Sequence, residues 1–208
     1  KYYNIQTSGP QDSHAMLAKV YEDMLPSSTI PRQGATLGER LSLHEFIRST
    51  LLRDHDGEIV TIDGSGNSLL RFIKFLEVNP YHSNPYQNNP YKTLPDGMLL
   101  YRSCYPIRFD LYGGKGVDCA RNSIGFNIRM YRMTVGEMHA RQNGPDWNDS
   151  NIWREIQYYE FVRERIIKPK RCPNFVILET YHMAPKSKVD FDGISRLRGV
   201  KESFKHRF

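Results

Sequence analysis

Residues 98–133 read MLLYRSCYPIRFDLYGGKGVDCARNSIGFNIRMYRM, and this stretch decides the fold class. Its two ends, Met98–Phe109 and residues 124–133, are rich in β-branched and aromatic residues, which favour strands. Between them, residues 112–116 (YGGKG) form a glycine-rich segment of the kind that joins paired strands. The stretch therefore predicts a β-hairpin near the middle of the chain.

Helices are predicted on both sides of this hairpin. Apolar residues recur at three- and four-residue steps in four segments, and a proline follows the first, third and fourth of them. The second segment begins at Ser42, where Ser42 and Glu45 have the spacing of a capping box. The last begins at Asp149 or Ser150 and stops at Pro169. We predict helices over residues 13–24, 42–51, 68–78 and 150–168, and further strands over residues 58–62 and 174–183.

The order of these elements indicates an α+β fold. A mainly helical region comes first, over residues 1–95, and an α+β module with an antiparallel sheet and one long helix follows over residues 96–183. Residues 184–208 carry seven Lys and Arg against three acids and little apolar content, so we predict a basic loop, tail or linker there.

The tripeptide Asn-Pro-Tyr occurs three times between residues 79 and 91, with a period of five. Asn-Pro favours turns, so each copy presents one tyrosine on a loop. Tyrosine is one of the residues enriched at protein interfaces. We predict that this loop wraps a surface and that Tyr81, Tyr86 and Tyr91 contact a protein partner.

Length and charge narrow the function classes. The 208 residues fit one large domain or two small ones, and 29 Lys and Arg against 23 acids give a net charge of +6. This composition excludes collagen and acidic disordered tails. No apolar run reaches the 18 or so residues of a membrane span, so we expect neither a membrane span nor a signal peptide in these residues. The basic charge leaves nucleic acid as a possible partner, less favoured than protein because no nucleic-acid-binding motif is legible.

The cysteines and the chain ends carry two further expectations. Cys104, Cys119 and Cys172 form no CxxC pair, so we expect reduced thiols and no zinc site. The chain begins at Lys1 and stops in a basic stretch, so we expect it to be a piece of a longer protein.

Three short motifs are weak candidates for chemistry. Residues 64–68 (GSGNS) resemble a phosphate-binding turn but lack the Lys-Ser/Thr of a Walker A loop, so a capped turn is favoured. Residues 54–58 (DHDGE) fail the calcium-loop spacing, which favours a solvated turn. The seven histidines show no ligand spacing, so we predict no metal site and treat them as ordinary surface or core residues.

Residues 124–183 resemble part of a protein kinase N-terminal lobe. The matching segments are residues 124–129 (IGFNIR), residues 153–160 (WREIQYYE) and residues 172–178 (CPNFVIL), in the order strand, helix, strand. In kinases the strand lysine holds the α and β phosphates of ATP, and a helix glutamate holds the lysine. The resemblance implies nucleotide-binding roles for Arg129 in place of the lysine, for Glu155 or Glu160, and for a glycine loop at Gly113, Gly114 and Gly116.

No His-Arg-Asp or Asp-Phe-Gly motif follows in this chain, so no catalytic residue is assigned and no activity is expected from these 208 residues alone. ATP and Mg²⁺ are implied only if a second lobe follows. Residues 79–81 and 100–108 add a resemblance to the divergent serine/threonine kinase-like proteins of large cytoplasmic DNA viruses, including iridoviruses and giant viruses.

That resemblance implies the N-terminal part of a virion-associated kinase-like protein, located in the virion and in the host cytoplasm during infection. The first alternative is a minor capsid or structural protein that contacts other virion proteins. The second is a basic nucleic-acid-binding protein.

Overall fold

A computed structural model describes residues 36–62, 68–81, 89–109, 117–143 and 150–199. The predicted helix over residues 13–24, the turn over residues 112–116 and Tyr86 lie outside these ranges. The described elements confirm an α+β fold. In chain order they are α1 (Leu37–Phe46), β1 (Glu58–Ile59), β2 (Lys74–Val78), β3 (Met98–Phe109), β4 (Val117–Tyr131), α2 (Val135–Asn143), α3 (Asn151–Val162), β5 (His182–Met183) and α4 (Phe191–Gly199).

The chain divides into two compact units. The described part of the first unit comprises residues 61–62, 68–81, 89–109, 117–132 and 186–199. The described part of the second comprises residues 36–60, 133–143 and 150–185. The domain boundaries near residues 95 and 183 remain predictions.

The first unit contains an antiparallel sheet with the strand order β2-β3-β4. The long β3–β4 ladder, from Met98 opposite Tyr131 to Phe109 opposite Val117, confirms the predicted pair of strands. The register shifts between Tyr105 and Ile107, where residue 106 is a proline. A proline has no backbone N–H to donate to the ladder, which explains the irregularity at this point.

The prediction of a helix over residues 68–78 is wrong. Only Leu69–Arg71 forms a short 3₁₀ turn, and β2 follows it. The apolar residues of this segment fit a helical period, but β2 gains ladder hydrogen bonds and cross-strand contacts with β3, such as the packing of Phe75 on Tyr101. Tertiary pairing therefore overrides the local pattern.

Residues 184–208 are not all loop, because α4 lies within them. Phe191 and Ile194 pack with Val189 against a buried cluster formed by Leu94, Leu99 and Leu100. Arg198 anchors the same helix, and its Nη1 donates to Asp96 Oδ1 at 2.6 Å. The prediction of a loop is wrong here because three apolar residues on one short helix are a weak sequence signal.

The second unit begins with α1, which starts five residues before the predicted helix. The capping box uses Thr36 and Glu39, with the Glu39 N–H donating to Thr36 Oγ1 at 3.2 Å, so the predicted Ser42–Glu45 box is wrong. The predicted strand over residues 58–62 is confirmed only at β1. The strand predicted over residues 174–183 pairs only at β5, which lies parallel to β1.

The expectation of three reduced thiols is wrong. Cys104 on β3 and Cys119 on β4 form a disulfide, with their Cα atoms 5.9 Å apart. The two residues are 15 positions apart in sequence, and only the antiparallel ladder brings them together. Cys172 is free and half-buried.

Candidate functional site

The residues implied by the kinase resemblance lie in both units. Arg129 is exposed on β4 of the first unit, at the ladder position opposite Leu100. Glu155 and Glu160 are half-buried on α3 of the second unit. Gly113, Gly114 and Gly116 fall outside the described residues. Pairing of Arg129 with either glutamate stays a prediction.

The interface tyrosines differ in exposure. Tyr81 is exposed, and its hydroxyl accepts a hydrogen bond from Asn127 Nδ2 at 2.9 Å. Tyr91 packs against the Leu94 cluster and is half-buried, so less of its ring is available to a partner. Their roles in an interface remain predictions.

A network of charged side chains occupies the second unit and centres on Asp56. Arg48 binds both carboxylate oxygens, with Nη1 donating to Oδ1 at 3.0 Å and Nη2 donating to Oδ2. Thr180 Oγ1 donates to Oδ1 at 3.1 Å, and Arg163 Nη2 donates to Oδ2 at 3.4 Å. We call these four residues the Asp56 network.

The two arginines of the Asp56 network lie on π-helical turns. The turn Ile47–Leu51 extends α1 and carries Arg48, and the turn Arg163–Ile167 extends α3 and begins with Arg163. Single π turns inside helices are rare and shift the side chains that follow them. In this unit they place two guanidinium groups from different helices on one carboxylate.

The Asp56 side chain is only 13% exposed, whereas the neighbouring Asp54 is 61% exposed. Burial works to raise the pKa of Asp56, but the hydrogen bond and charge of Arg48 and the charge of Arg163 lower the pKa below its usual value. Asp56 is therefore ionised at neutral pH. The expectation of a solvated turn over residues 54–58 is wrong for Asp56, whose partners lie up to 124 residues away in sequence.

An aromatic pair lies near the Asp56 network. The Arg141 guanidinium stacks over Trp153 at 5.3 Å and over Tyr181 at 5.0 Å. Gly57 makes room for it, because a Cβ there would lie 1.9 Å from Arg141 Nη1. Burial raises the pKa of Tyr181 to about 12, and the charges of Glu160 and Asp56 add to this shift against that of Arg141. The hydroxyl of Tyr181 therefore stays protonated at neutral pH. Arg141 stacks on the rings and Asp56 is bound by arginines, so these groups are better suited to holding the unit together than to transferring a proton.

Sequence reasoning missed α2, which contributes Arg141 to this cluster. A usable signal was present, since Thr134 and Glu137 form a capping box in which the Glu137 N–H donates to Thr134 Oγ1 at 3.2 Å. Glu137 also accepts from Ser150 Oγ at 3.1 Å, and its backbone carbonyl accepts from Trp153 Nε1 at 2.6 Å. The cap of α2 thus also positions the start of α3.

The helix α3 carries two exposed aromatic residues. Trp153 and Val162 of α3 are buried, whereas Tyr158 is 56% exposed and Phe161, three residues further along, is 57% exposed. The two rings line an open groove of about 690 Å³ together with Arg154, Gln157, Glu160, Glu164 and Arg165. We call this surface the α3 groove.

The charges around the α3 groove are partly compensated. Glu164 pairs with Lys168, with Nζ 2.8 Å from Oε1, and also with Arg163. Arg154 donates a hydrogen bond to Asn151 Oδ1. Within the described residues Arg165 makes no ion pair, and the aromatic surface of the groove lies among two arginines and two glutamates.

Two features are absent from the described residues. No helix among them is both long and apolar enough to cross a membrane. No group of three or more His, Cys, Asp or Glu side chains in the same ranges has the arrangement of a metal site.

Comparison with known proteins gives one informative match. An uncharacterized protein of Acanthamoeba polyphaga mimivirus is 44% identical to this chain over 191 residues, which are 91% of the chain and 25% of that protein. The chain thus spans a quarter of the length of this relative. No family model matches the chain, and no solved structure matches it. The relative supports an origin in a large DNA virus, and its name states no activity.

Proposed function

We propose that the chain is a protein-interaction part of a large DNA virus protein and that its α3 groove binds another protein of the virion. The observation that carries this proposal is the exposure of both Tyr158 and Phe161, which lie three residues apart on α3 and line the same surface. This proposal keeps the structural-protein alternative but places the contact on α3, whereas the sequence predicted it at Tyr81, Tyr86 and Tyr91.

The chemistry of the α3 groove supports binding to a protein. Tyrosine and arginine are the residues that most often dominate binding energy at interfaces, and aromatic rings bury large areas with little loss of side-chain freedom. Here two rings lie beside Arg154 and Arg165. A partner that offers an apolar side chain and a carboxylate would fill the groove and pair with Arg165.

The test uses the 208-residue chain as bait for proteins of purified, disrupted virions. Retained virion proteins are identified by mass spectrometry, produced separately and titrated against the chain. We expect the double substitution Tyr158→Ala and Phe161→Ala to weaken binding at least tenfold, since each anchor of this type contributes about 1 to 2 kcal/mol. Alanine favours helix, so α3 should persist.

Val176→Ala is the matched control, because Val176 is 70% exposed in the same unit and lies outside the groove. Its binding should stay within about twofold of the unmodified chain, as for a residue outside the contact. Equal binding by the double variant and the control would overturn the proposal. Retention of DNA or RNA that falls steeply with salt would favour the nucleic-acid alternative instead.

A kinase-like nucleotide site is the second candidate, and it concerns the longer protein. The observation that favours it is the exposure of Arg129 on a strand that precedes the helix with Glu155 and Glu160, which is the order of a kinase lobe. In this candidate Arg129 holds the phosphates of ATP, and Mg²⁺ and the catalytic groups come from a second lobe.

This candidate is tested on the protein extended by its native following residues. ATP-dependent phosphate transfer should fall at least about tenfold in Arg129→Ala and be largely kept in Arg129→Lys, because either cation can hold a phosphate. Arg102→Ala is the control, since Arg102 is exposed on the neighbouring strand and pairs with Glu77 at 3.4 Å. Phosphate transfer that is absent, or that is unchanged in Arg129→Ala, would reject it.

A further inference from the structure

The disulfide between Cys104 and Cys119 lies where the β3–β4 ladder is irregular. Tyr105 lies opposite Ile124 and Ile107 lies opposite Cys119, so β3 advances by two residues where β4 advances by five. The extra residues of β4 form a bulge at this point. The disulfide joins the strands beside the bulge, between the regular ladder and the end of the hairpin.

The two cysteine residues differ in exposure to solvent. Cys104 is 3% exposed and lies between other buried positions of β3, Ser103 and Tyr105. Cys119 is half-buried on β4. Thiol–disulfide exchange requires an attacking thiolate to reach one sulfur in line with the bond, so access decides which sulfur takes part first.

We propose that Cys104 and Cys119 form a dithiol–disulfide exchange site in which Cys119 is the exchanging cysteine and Cys104 the resolving one. The chemical class of its reaction partner is a disulfide of a thiol oxidoreductase or a small-molecule disulfide. Cytosolic thiols are generally kept reduced, so a reaction of this class must supply the oxidised chain in such a compartment.

The exchange runs in two steps. The Cys119 thiolate attacks one sulfur of the incoming disulfide, whose S–S bond breaks and releases one donor thiolate. The Cys104 thiolate then attacks Cys119 Sγ, the mixed disulfide breaks, and the donor leaves with its second thiolate. Two electrons pass from the chain to the donor, and the two thiol protons end on the donor thiols.

The bond would fix the hairpin on either side of the bulge. It closes a loop of 15 residues in sequence, which includes the connection between β3 and β4. By the chain-entropy account, reduction should lower the thermal midpoint of the 208-residue chain by about 6 to 12 °C. Oxidation therefore sets the stability of the strands that hold the Leu94 cluster.

The test compares two variants, Cys104→Ser and Cys119→Ser, each made in a Cys172→Ser background so that one cysteine remains. Oxidised glutathione is the probe. The reduced chain is mixed with the probe, quenched with acid and measured by intact-protein mass spectrometry. Cys104→Ser should accumulate the glutathione adduct on Cys119. Cys119→Ser should form its adduct at least about tenfold more slowly, because a buried thiol reacts only when the strand opens.

A second measurement does not depend on the folding of these variants. The oxidised Cys172→Ser chain is treated with limiting reduced glutathione, excess maleimide is added after a short interval, and the modified residues are located by peptide mapping. Transient glutathione or reductant adducts should be found on Cys119, with Cys104 appearing only as the released thiol. Equal adduct formation on both cysteines, adducts on Cys104, or a reduced chain that oxidised glutathione does not convert to the disulfide would overturn the proposal.

Discussion

Asp56 shows how one residue can organise a unit of this protein. It sits in a turn beside Gly57, which has a φ of +77° and whose N–H donates to the Tyr181 carbonyl at 3.0 Å. Its carboxylate accepts from Arg48, Arg163 and Thr180, so the helices α1 and α3 and the strand region near β5 meet at one side chain. A buried charge of this kind stabilises only when all its partners are present.

Asp56→Asn should lower the free energy of unfolding by about 3 kcal/mol, because it removes the negative charge that the guanidinium groups of Arg48 and Arg163 both bind. Urea titration of the purified chain measures this. Asp54→Asn is the control, because Asp54 also pairs with Arg48, at 2.7 Å to Nε, but is 61% exposed. Its cost should stay below about 1 kcal/mol, and equal costs for the two variants would contradict the role given to Asp56.

The same residue predicts a pH dependence. The folded pKa of Asp56 lies below its usual value. Its contribution to stability is therefore complete above the unfolded pKa of about 3.9 and is lost as the pH falls through the lower folded pKa. Unfolding free energies measured from pH 6 downward should fall more steeply below about pH 4 in the unmodified chain than in Asp56→Asn. Parallel curves would show that other carboxylates carry the acid sensitivity.

At the scale of elements, helix starts are decided by the capping side chains that the backbone can reach. Thr36 and Glu39 satisfy each other's backbone N–H groups at the start of α1, with the Thr36 N–H donating to Glu39 Oε2 at 2.7 Å. Ser42 and Glu45 have the same spacing but lie inside the helix, where backbone N–H groups already have partners. Spacing alone cannot choose between two such boxes in succession.

Thr36→Ala should destabilise the second unit by about 1 kcal/mol, because it removes the acceptor for an N-terminal N–H. Ser42→Ala should leave stability unchanged or raise it slightly, because alanine is the better helix former. Chemical denaturation followed by circular dichroism compares the two variants. A larger loss in Ser42→Ala would place the helix start at the site predicted from sequence.

At the scale of the whole molecule, the first unit is completed by residues from the far end of the chain. The cluster of Leu94, Leu99 and Leu100 is covered by Phe191 and Ile194 of α4, which follow it by some ninety residues in sequence. Arg198 adds a hydrogen bond from Nη2 to the Pro95 carbonyl at 2.6 Å. Contacts of long sequence separation therefore complete the core of the first unit.

Phe191→Ala should therefore weaken the first unit and spare the second. We expect a loss of about 2 kcal/mol, since a partly buried phenylalanine contributes less than a fully buried one. Hydrogen exchange followed by mass spectrometry should show faster exchange in residues 98–109 and no change in residues 151–162. Leu197→Ala, at a 49% exposed position of the same helix, is the control, and an equal effect of both would contradict the packing described.

The amino-acid sequence alone specifies the α+β class, the β3–β4 strand pair, the long helix α3 and the basic charge. These depend on period, composition and turn residues, which are local properties. It did not determine β2, α4 or the start of α1. In each case a local pattern fitted two outcomes, and contacts with residues far away in sequence chose between them.

Three features arise only from tertiary packing: the Asp56 network, the disulfide between Cys104 and Cys119, and the exposed aromatic residues of α3. Asp56 and Thr180 are 124 residues apart in sequence, and no sequence motif predicts that they are in contact. The cysteines meet because two strands pair in one register and a bulge shifts it. Each of these features depends on which residues lie close together, or remain uncovered, in the folded chain. Long-range packing determines this, and the spacing of residues along the sequence does not.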